Sequence, residues 1–169
     1  EGSGTLPMAI AYAQYILCGN VGGENVGENT ACNLKFEHFS HPDLHFVFPV
    51  AGTDTVKSHA VSDNFMVEWR QFLSESPYGS LFDWLKNLGI QNKQGIIGVD
   101  EATDINKKLA LKAYEGGYKV MIIWMADKMN GPSANKLLKL LEEPPAKTVF
   151  ILITETTSDM LHTILSRCQ

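Results

Sequence analysis

The sequence predicts an α/β domain, a mainly parallel sheet held between two layers of helices. Three observations predict it. The runs Lys119–Met125 and Val149–Thr154 are apolar without alternation, the pattern of strands buried on both faces. A third run, Leu44–Val50, is rich in Phe and Val, which suit a pleated surface. Segments with helical periodicity separate these runs, and strands alternating with helices build parallel sheets.

Each element has its own signal. Residues 6–18 read as the first helix, with Pro7 in its first turn and Met8, Ala11, Tyr12 and Tyr15 sharing a face. The Gly-, Asn- and Glu-rich stretch 19–31 reads as a polar loop. A short helix over 32–40 is broken by His41-Pro42-Asp43, and Pro49 ends the strand that follows. Beyond a polar connection at 51–60 come helices over 62–76, with Phe65, Trp69 and Phe72 at helical spacing, and over 79–88, with Leu81, Trp84, Leu85 and Leu88. After a turn region at 89–95, Asp100 is the expected N-cap of a helix at 101–114 that Gly116-Gly117 stops. A helix over 132–142 turns Leu137, Leu138 and Leu141 inward and stops at Pro144-Pro145. A last short helix is expected over 158–165.

Composition narrows the function. With 169 residues, 44% of them apolar, the chain can bury one core. Its net charge of -5 argues against an electrostatic DNA binder, which is normally basic. No apolar run is long enough to span a membrane, and no signal peptide is visible. The three cysteines, Cys18, Cys32 and Cys168, are odd in number and widely spaced, so a reduced, cytoplasmic protein is expected rather than a disulfide framework. Both ends read as cuts from a longer chain.

The second half carries the decisive motifs. The strand 120–125 is followed by Asn135-Lys136-Leu137-Leu138-Lys139-Leu140-Leu141-Glu142-Glu143-Pro144-Pro145. A strand ending at Thr154 and the run Ile164-Leu165-Ser166-Arg167-Cys168 come next. In order and spacing these closely resemble the clamp-loader branch of the AAA+ family over at least residues 96–168, and more weakly over 2–50. The resemblance implies a P-loop NTPase-like domain of three α/β/α layers across 1–169, with lid and collar domains lying outside this sequence.

In that family a P-loop would end in Gly-Lys-Ser/Thr, its Lys on the β- and γ-phosphates and its hydroxyl on Mg²⁺. Here Gly2-Ser3-Gly4-Thr5-Leu6 stands at that place, with Thr5 for the Lys and Leu6 for the hydroxyl. The strand that should end in Asp-Glu ends in Trp124 and Met125, and Asp127 falls too late. Loss of the cation and of both carboxylates removes the charge stabilisation that phosphoryl transfer needs. This combined loss resembles the delta-prime subunits of bacterial DNA polymerase III, and the aromatic-rich stretch 62–92 resembles the insertion of their Bacteroides-type lineage. Its Phe65, Trp69, Phe72, Tyr78, Phe82 and Trp84 read as a packing face.

By the same resemblance, Arg167 is a finger that reaches a neighbouring subunit's ATP and stabilises charge on the γ-phosphate. Ser166 and Cys168 would shape its turn. Thr154 stands at the family's sensor position, where a strand-end hydrogen bond is expected, and Glu142-Glu143 reads as a charged helix end. The implied role is a non-catalytic stator that works with gamma/tau and delta subunits to load a sliding clamp onto primed DNA. ATP and Mg²⁺ would be bound next door. An active gamma/tau-like P-loop ATPase and a DNA-contacting module are the alternatives, disfavoured by the missing Lys and carboxylates and by the negative charge.

The resemblance also implies a four-Cys zinc module over 18–41, with Cys18 first and Cys32 last. Val26 and Asn29 occupy its middle positions. Two thiolates cannot close a tetrahedral site. His38, His41 or His45 could in principle complete one, but the expectation is an outline without zinc and a mobile loop 19–31.

Overall fold

The computed structural model describes residues 4–19, 30–115 and 117–168. Loop 19–31 and residues Gly2 and Ser3 of the degenerate P-loop therefore lie largely outside the described residues. Helix α1 spans Thr5–Cys18 and α2 Thr30–Glu37, followed by strand β1 at Leu44–Val47. A 3-10 turn at Ser62–Phe65 leads into α3, Met66–Glu75, and then α4, Leu81–Asn87. Next come α5 at Val99–Ala110, β2 at Lys119–Trp124, α6 at Gly131–Glu142, β3 at Thr148–Ile153 and α7 at His162–Leu165. The three strands pair in parallel in the order β1-β2-β3, which puts β2 at the centre.

Strand geometry turns the continuous apolar run of β2 into two cores, because successive side chains point to opposite faces. Val120, Ile122 and Trp124 join Leu44 and Phe46 beneath α1, α3 and α4. Met121 and Ile123 join Val47 beneath α5, α6 and α7. Every residue of β2 is buried, so the three-layer expectation holds, and β2 is covered on both faces as its sequence required. β3 differs. Residues 148–152 are only half-buried: β3 is one of the two edge strands among the described residues and is less covered than β1, the other.

Other expectations need correction. On α1 the buried residues are Leu6, Ala9 and Ala13, and the face bearing Met8, Tyr12 and Tyr15 is exposed. Small alanines let the helix approach β2 closely, so the bulky apolar side chains point away. Gly98, not Asp100, caps α5, and Asp100 lies in its first turn, where a carboxylate suits the positive helix end. β1 stops at Val47, two residues before Pro49, because the Phe48 N–H turns aside to donate to Ser62 Oγ at 3.0 Å.

Three buried polar groups join the layers. Lys119 Nζ donates to the carbonyls of Leu109 at 2.5 Å and Leu111 at 2.6 Å, satisfying the C-terminal end of α5. The Asp43 carboxylate accepts from the N–H groups of Tyr114 at 2.6 Å and Glu115 at 3.0 Å. Glu101 Oε2 accepts from the Ser62 N–H at 2.6 Å, tying α5 to the start of the 62–92 segment.

Glu101 is 1% exposed, and burial pushes its carboxyl from the ordinary 4.5 up to about 7, against the opposing pull of the Ser62 N–H and Lys108. The folded chain therefore holds this proton to about pH 7, while the unfolded chain releases it near 4.5. Between those values the native state binds more protons, so stability falls as pH rises, by about 3 kcal/mol in all. Glu101→Gln is expected to flatten that slope and to be more stable than the parent at pH 8. Urea unfolding at pH 5 and pH 8 checks this, and parallel pH profiles for the two chains would refute it.

Candidate functional site

At the C-terminal edge of the sheet, where open α/β folds place their ligands, the chain forms a cleft of about 210 Å³. Gly4 opens it. This residue caps α1 in the left-handed region, φ 72°, where glycine is at ease. Thr5, Leu6, Trp124, Met125 and Thr154 complete one wall, so the described positions of both degenerate motifs do meet in space. Pro77, Tyr78, Gly79 and Ser80 form the opposite wall. A side-chain carbon on Gly4 would lie 3.5 Å from the Tyr78 ring.

Trp124 decides the character of the cleft. It is 3% exposed, with its ring centroid 5.2 Å from that of Trp69 and 6.1 Å from that of Phe72. Trp69 in turn stacks on Phe48 at 4.2 Å and meets Trp84 edge-on at 5.0 Å. The 62–92 segment thus packs its aromatic face directly on the position where a metal-holding carboxylate would stand. Met125 follows with φ 56°, a strained left-handed conformation for a non-glycine residue.

No Lys or Arg is among the residues lining the cleft, and Glu155 adds a carboxylate to the rim. The volume is below the roughly 300–1,000 Å³ of typical ligand pockets. These residues do not fit Mg-ATP. Asp127 does not rescue the site. Its carboxylate is paired with Lys128 at 2.7 Å and with the Thr154 hydroxyl at 2.9 Å. Burial alone would raise its pKa, and these two partners outweigh burial and hold it below the ordinary value. Thr154 thus makes the strand-end hydrogen bond expected of it. Tyr78 and Phe82, read in sequence as part of the aromatic packing face, are exposed, and Tyr78 lines the cleft instead. Sequence reasoning missed Glu155, since nothing in the spacing links it to the P-loop.

The cysteines also depart from expectation. Cys18 and Cys32 form a disulfide, with Cα atoms 5.6 Å apart, at the junction of α1 and α2. Spacing could not reveal this pairing. The packing of α2 brings Cys32, 1% exposed, against the end of α1. Donor atoms of Cys32, His41 and Glu115 lie within 4.8 Å of one another. They do not fit zinc, because both sulfurs are consumed by their bond. His41 Nδ1 also accepts the Asp43 N–H at 3.2 Å, which leaves the ring proton on Nε2, facing Glu115 Oε2 at 3.2 Å. Burial holds this imidazole below its ordinary pKa despite Glu115. His38 and His45 are not in this cluster.

Arg167 lies elsewhere. Its Nε donates to Glu142 Oε1 at 2.8 Å, Nη2 is paired with the same oxygen, and Nη1 donates to the Thr163 carbonyl at 2.5 Å. Ser166 Oγ donates to the Thr163 carbonyl at 3.1 Å and Cys168 Sγ to that of Ile164 at 3.4 Å, so both shape the turn that carries the arginine.

A family model described as "DNA polymerase III, delta subunit" matches residues 1–169. The chain belongs to this family. Among curated relatives, the DNA polymerase III subunit delta' of Haemophilus influenzae is 31% identical over the whole chain, and that of Escherichia coli is 28% identical over 99% of it. The DNA polymerase III subunit tau of Bacillus subtilis is 43% identical over 72 residues, 43% of the chain and 13% of that protein. The chain spans 38% of the length of the two delta' relatives. The parallel sheet flanked by helices is the α/β fold that the sequence predicted. No helix among the described residues is long and apolar enough to cross a membrane.

Two outcomes are expected. Trp124→Asp should lower the unfolding free energy by about 3–5 kcal/mol, the cost of deleting a packed large side chain, without creating Mg-ATP binding. Urea unfolding and calorimetry measure both, and a stable variant that binds Mg-ATP would mean that the cleft is open. The disulfide closes a segment of sequence separation 14, which contributes about 3 kcal/mol by loop-closure entropy. Adding dithiothreitol should remove that much stability and raise the alkylatable thiols from one to three.

Proposed function

We propose that this chain is the non-catalytic stator of a DNA polymerase III clamp loader and lends Arg167 to the ATP site of a neighbouring subunit. The observation that carries this reading is the position of Arg167 relative to the chain's own cleft. The guanidinium is tied to Glu142, the last residue of α6, and only residues 143–147 separate Glu142 from the first residue of β3. The cleft lies at the other end of β3, beside Ile153 and Thr154. Six strand residues rise roughly 20 Å, so Arg167 sits on the edge of the sheet where β3 starts, away from its own cleft. A permanently charged, phosphate-matching group placed there is useful only to another molecule.

The filled cleft supports the same reading. A domain with Trp124 packed into its acidic position holds one shape without nucleotide, as a stator must. Family membership and the tau relative support assembly with gamma/tau and delta subunits, and through them action on the sliding clamp and primed DNA. ATP and Mg²⁺ then belong to the neighbour.

An arginine finger contributes on the order of 10³-fold or more to turnover at the site it reaches. Full-length protein carrying Arg167→Ala, reconstituted with the other loader subunits, is expected to lose clamp-stimulated ATP hydrolysis at the adjoining site while still assembling. Turnover equal to the parent in an intact assembly would reject the finger.

A further inference from the structure

The arginine is not merely exposed; it is gripped in a particular way. A guanidinium has five N–H donors, one on Nε and two on each terminal nitrogen. Glu142 Oε1 takes Nε at 2.8 Å and also Nη2, the pair of donors along one side of the fork. The Thr163 carbonyl takes Nη1 at 2.5 Å. Three donors are thus committed, one on each nitrogen, and the remaining two sit one on each terminal nitrogen. The only further partner among the described residues is Ser166 Oγ, a long 3.3 Å from Nη1.

From this geometry we infer that Glu142 is a positioning residue. It holds Arg167 by its side so that the outer pair of terminal N–H groups faces outward, set to grip two oxygens of a phosphate on a neighbouring molecule. This inference rests on the proposed role of Arg167 and deepens it. Three features favour a hold over a lock. Glu142 uses one carboxylate oxygen for both donors. Its side chain is 43% exposed and that of Arg167 30%, so water screens the pair and an incoming phosphate competes with little loss. The second anchor is the backbone carbonyl of Thr163, which fixes direction without adding negative charge. The anchors come from α6 and α7, two packed elements, so the grip transmits the rigidity of the domain to the tip of a long side chain.

Glu143 is the internal control. It is the next residue, equally acidic and exposed, and no hydrogen bond or ion pair joins its side chain to Arg167.

The test uses the full-length chain in the reconstituted loader. Glu142→Ala is expected to lower kcat of clamp-stimulated ATP hydrolysis roughly 10- to 100-fold, the range for misplacing a catalytic group by about an ångström, with KM for ATP unchanged. Glu142→Gln keeps an acceptor for Nε and Nη2 and should recover most of that loss. Glu143→Gln should match the parent. In an Arg167→Ala background, Glu142→Ala should cost nothing more, since the two act as one unit. Gel filtration of each assembly separates a positioning loss from a failure to assemble. If Arg167→Ala is impaired while Glu142→Ala matches the parent or turns over faster, the positioning role is wrong and the finger stands. If Arg167→Ala itself matches the parent, the finger reading fails, and this inference fails with it.

Discussion

The packing of Trp124 against Trp69 and Phe72 is the contact on which the rest depends. In an ATPase of this fold the end of the central strand must stay wet and acidic to hold a metal. Here it carries an indole, and the indole is 3% exposed because an aromatic face has closed over it. Each aromatic pair contributes about 0.5–1.5 kcal/mol beyond the area it buries. The cluster also includes Phe48 and Trp84, whose Nε1 donates to the Pro49 carbonyl at 2.8 Å. The indole at 124 supplies the surface on which the 62–92 segment folds. A carboxylate at 124 would instead face two rings, those of Trp69 and Phe72, with no water to solvate it.

The same contact explains the shape of the cleft. Gly79 leaves no room for a side chain beside Phe72, whose ring would lie 2.5 Å from an added carbon. That close approach lets the Pro77–Ser80 turn fold back over Gly4. The turn is then fixed by the capping box of α4, in which the Ser80 N–H donates to Asp83 Oδ2 at 2.9 Å and the Asp83 N–H to Ser80 Oγ at 3.2 Å. The Ser80 hydroxyl, which donates to the same Oδ2 at 2.7 Å, and then the Ser80 N–H hold the Asp83 carboxyl below its ordinary pKa. A segment whose aromatic residues read as a packing face in sequence thus also forms part of the wall of the cleft.

Much of the fold was legible because single elements obey local rules. The unbroken apolar run of β2 required cover on both faces, and Pro144-Pro145 stopped the helix that the structure ends at Glu142. Where reading failed, a tertiary contact overrode a local preference. Met8, Tyr12 and Tyr15 are apolar and correctly spaced, yet Ala9 and Ala13 face the sheet, because only small residues allow α1 to lie close to β2. The Cys18–Cys32 bond depends on how two helices meet, which no spacing rule encodes. At the candidate site, the type and order of Thr5, Leu6, Trp124 and Met125 pointed to positions that the fold brings to one cleft. The contribution of Tyr78 could not be read that way, because it comes from a loop more than seventy residues downstream of Gly4 in sequence.

The proposed role, a disused cleft together with a working Arg167, requires that the two be physically separate. The strand order and the direction of β3 separate them. The cleft takes walls from the ends of β2 and β3, while the grip on Arg167 is built from the end of α6, ahead of the start of β3, and from α7. Aromatic packing at one edge of the sheet can proceed without moving the guanidinium at the other, and β2 and β3, paired over six residues, hold the two edges at a fixed separation. An overall charge of -5 would repel a phosphate-rich neighbour at long range, but screening confines that effect to about 8 Å at physiological salt. In the proposed role, recognition by this face is therefore local and geometric. It would depend on where two N–H groups point, a direction set by a carboxylate and a backbone carbonyl.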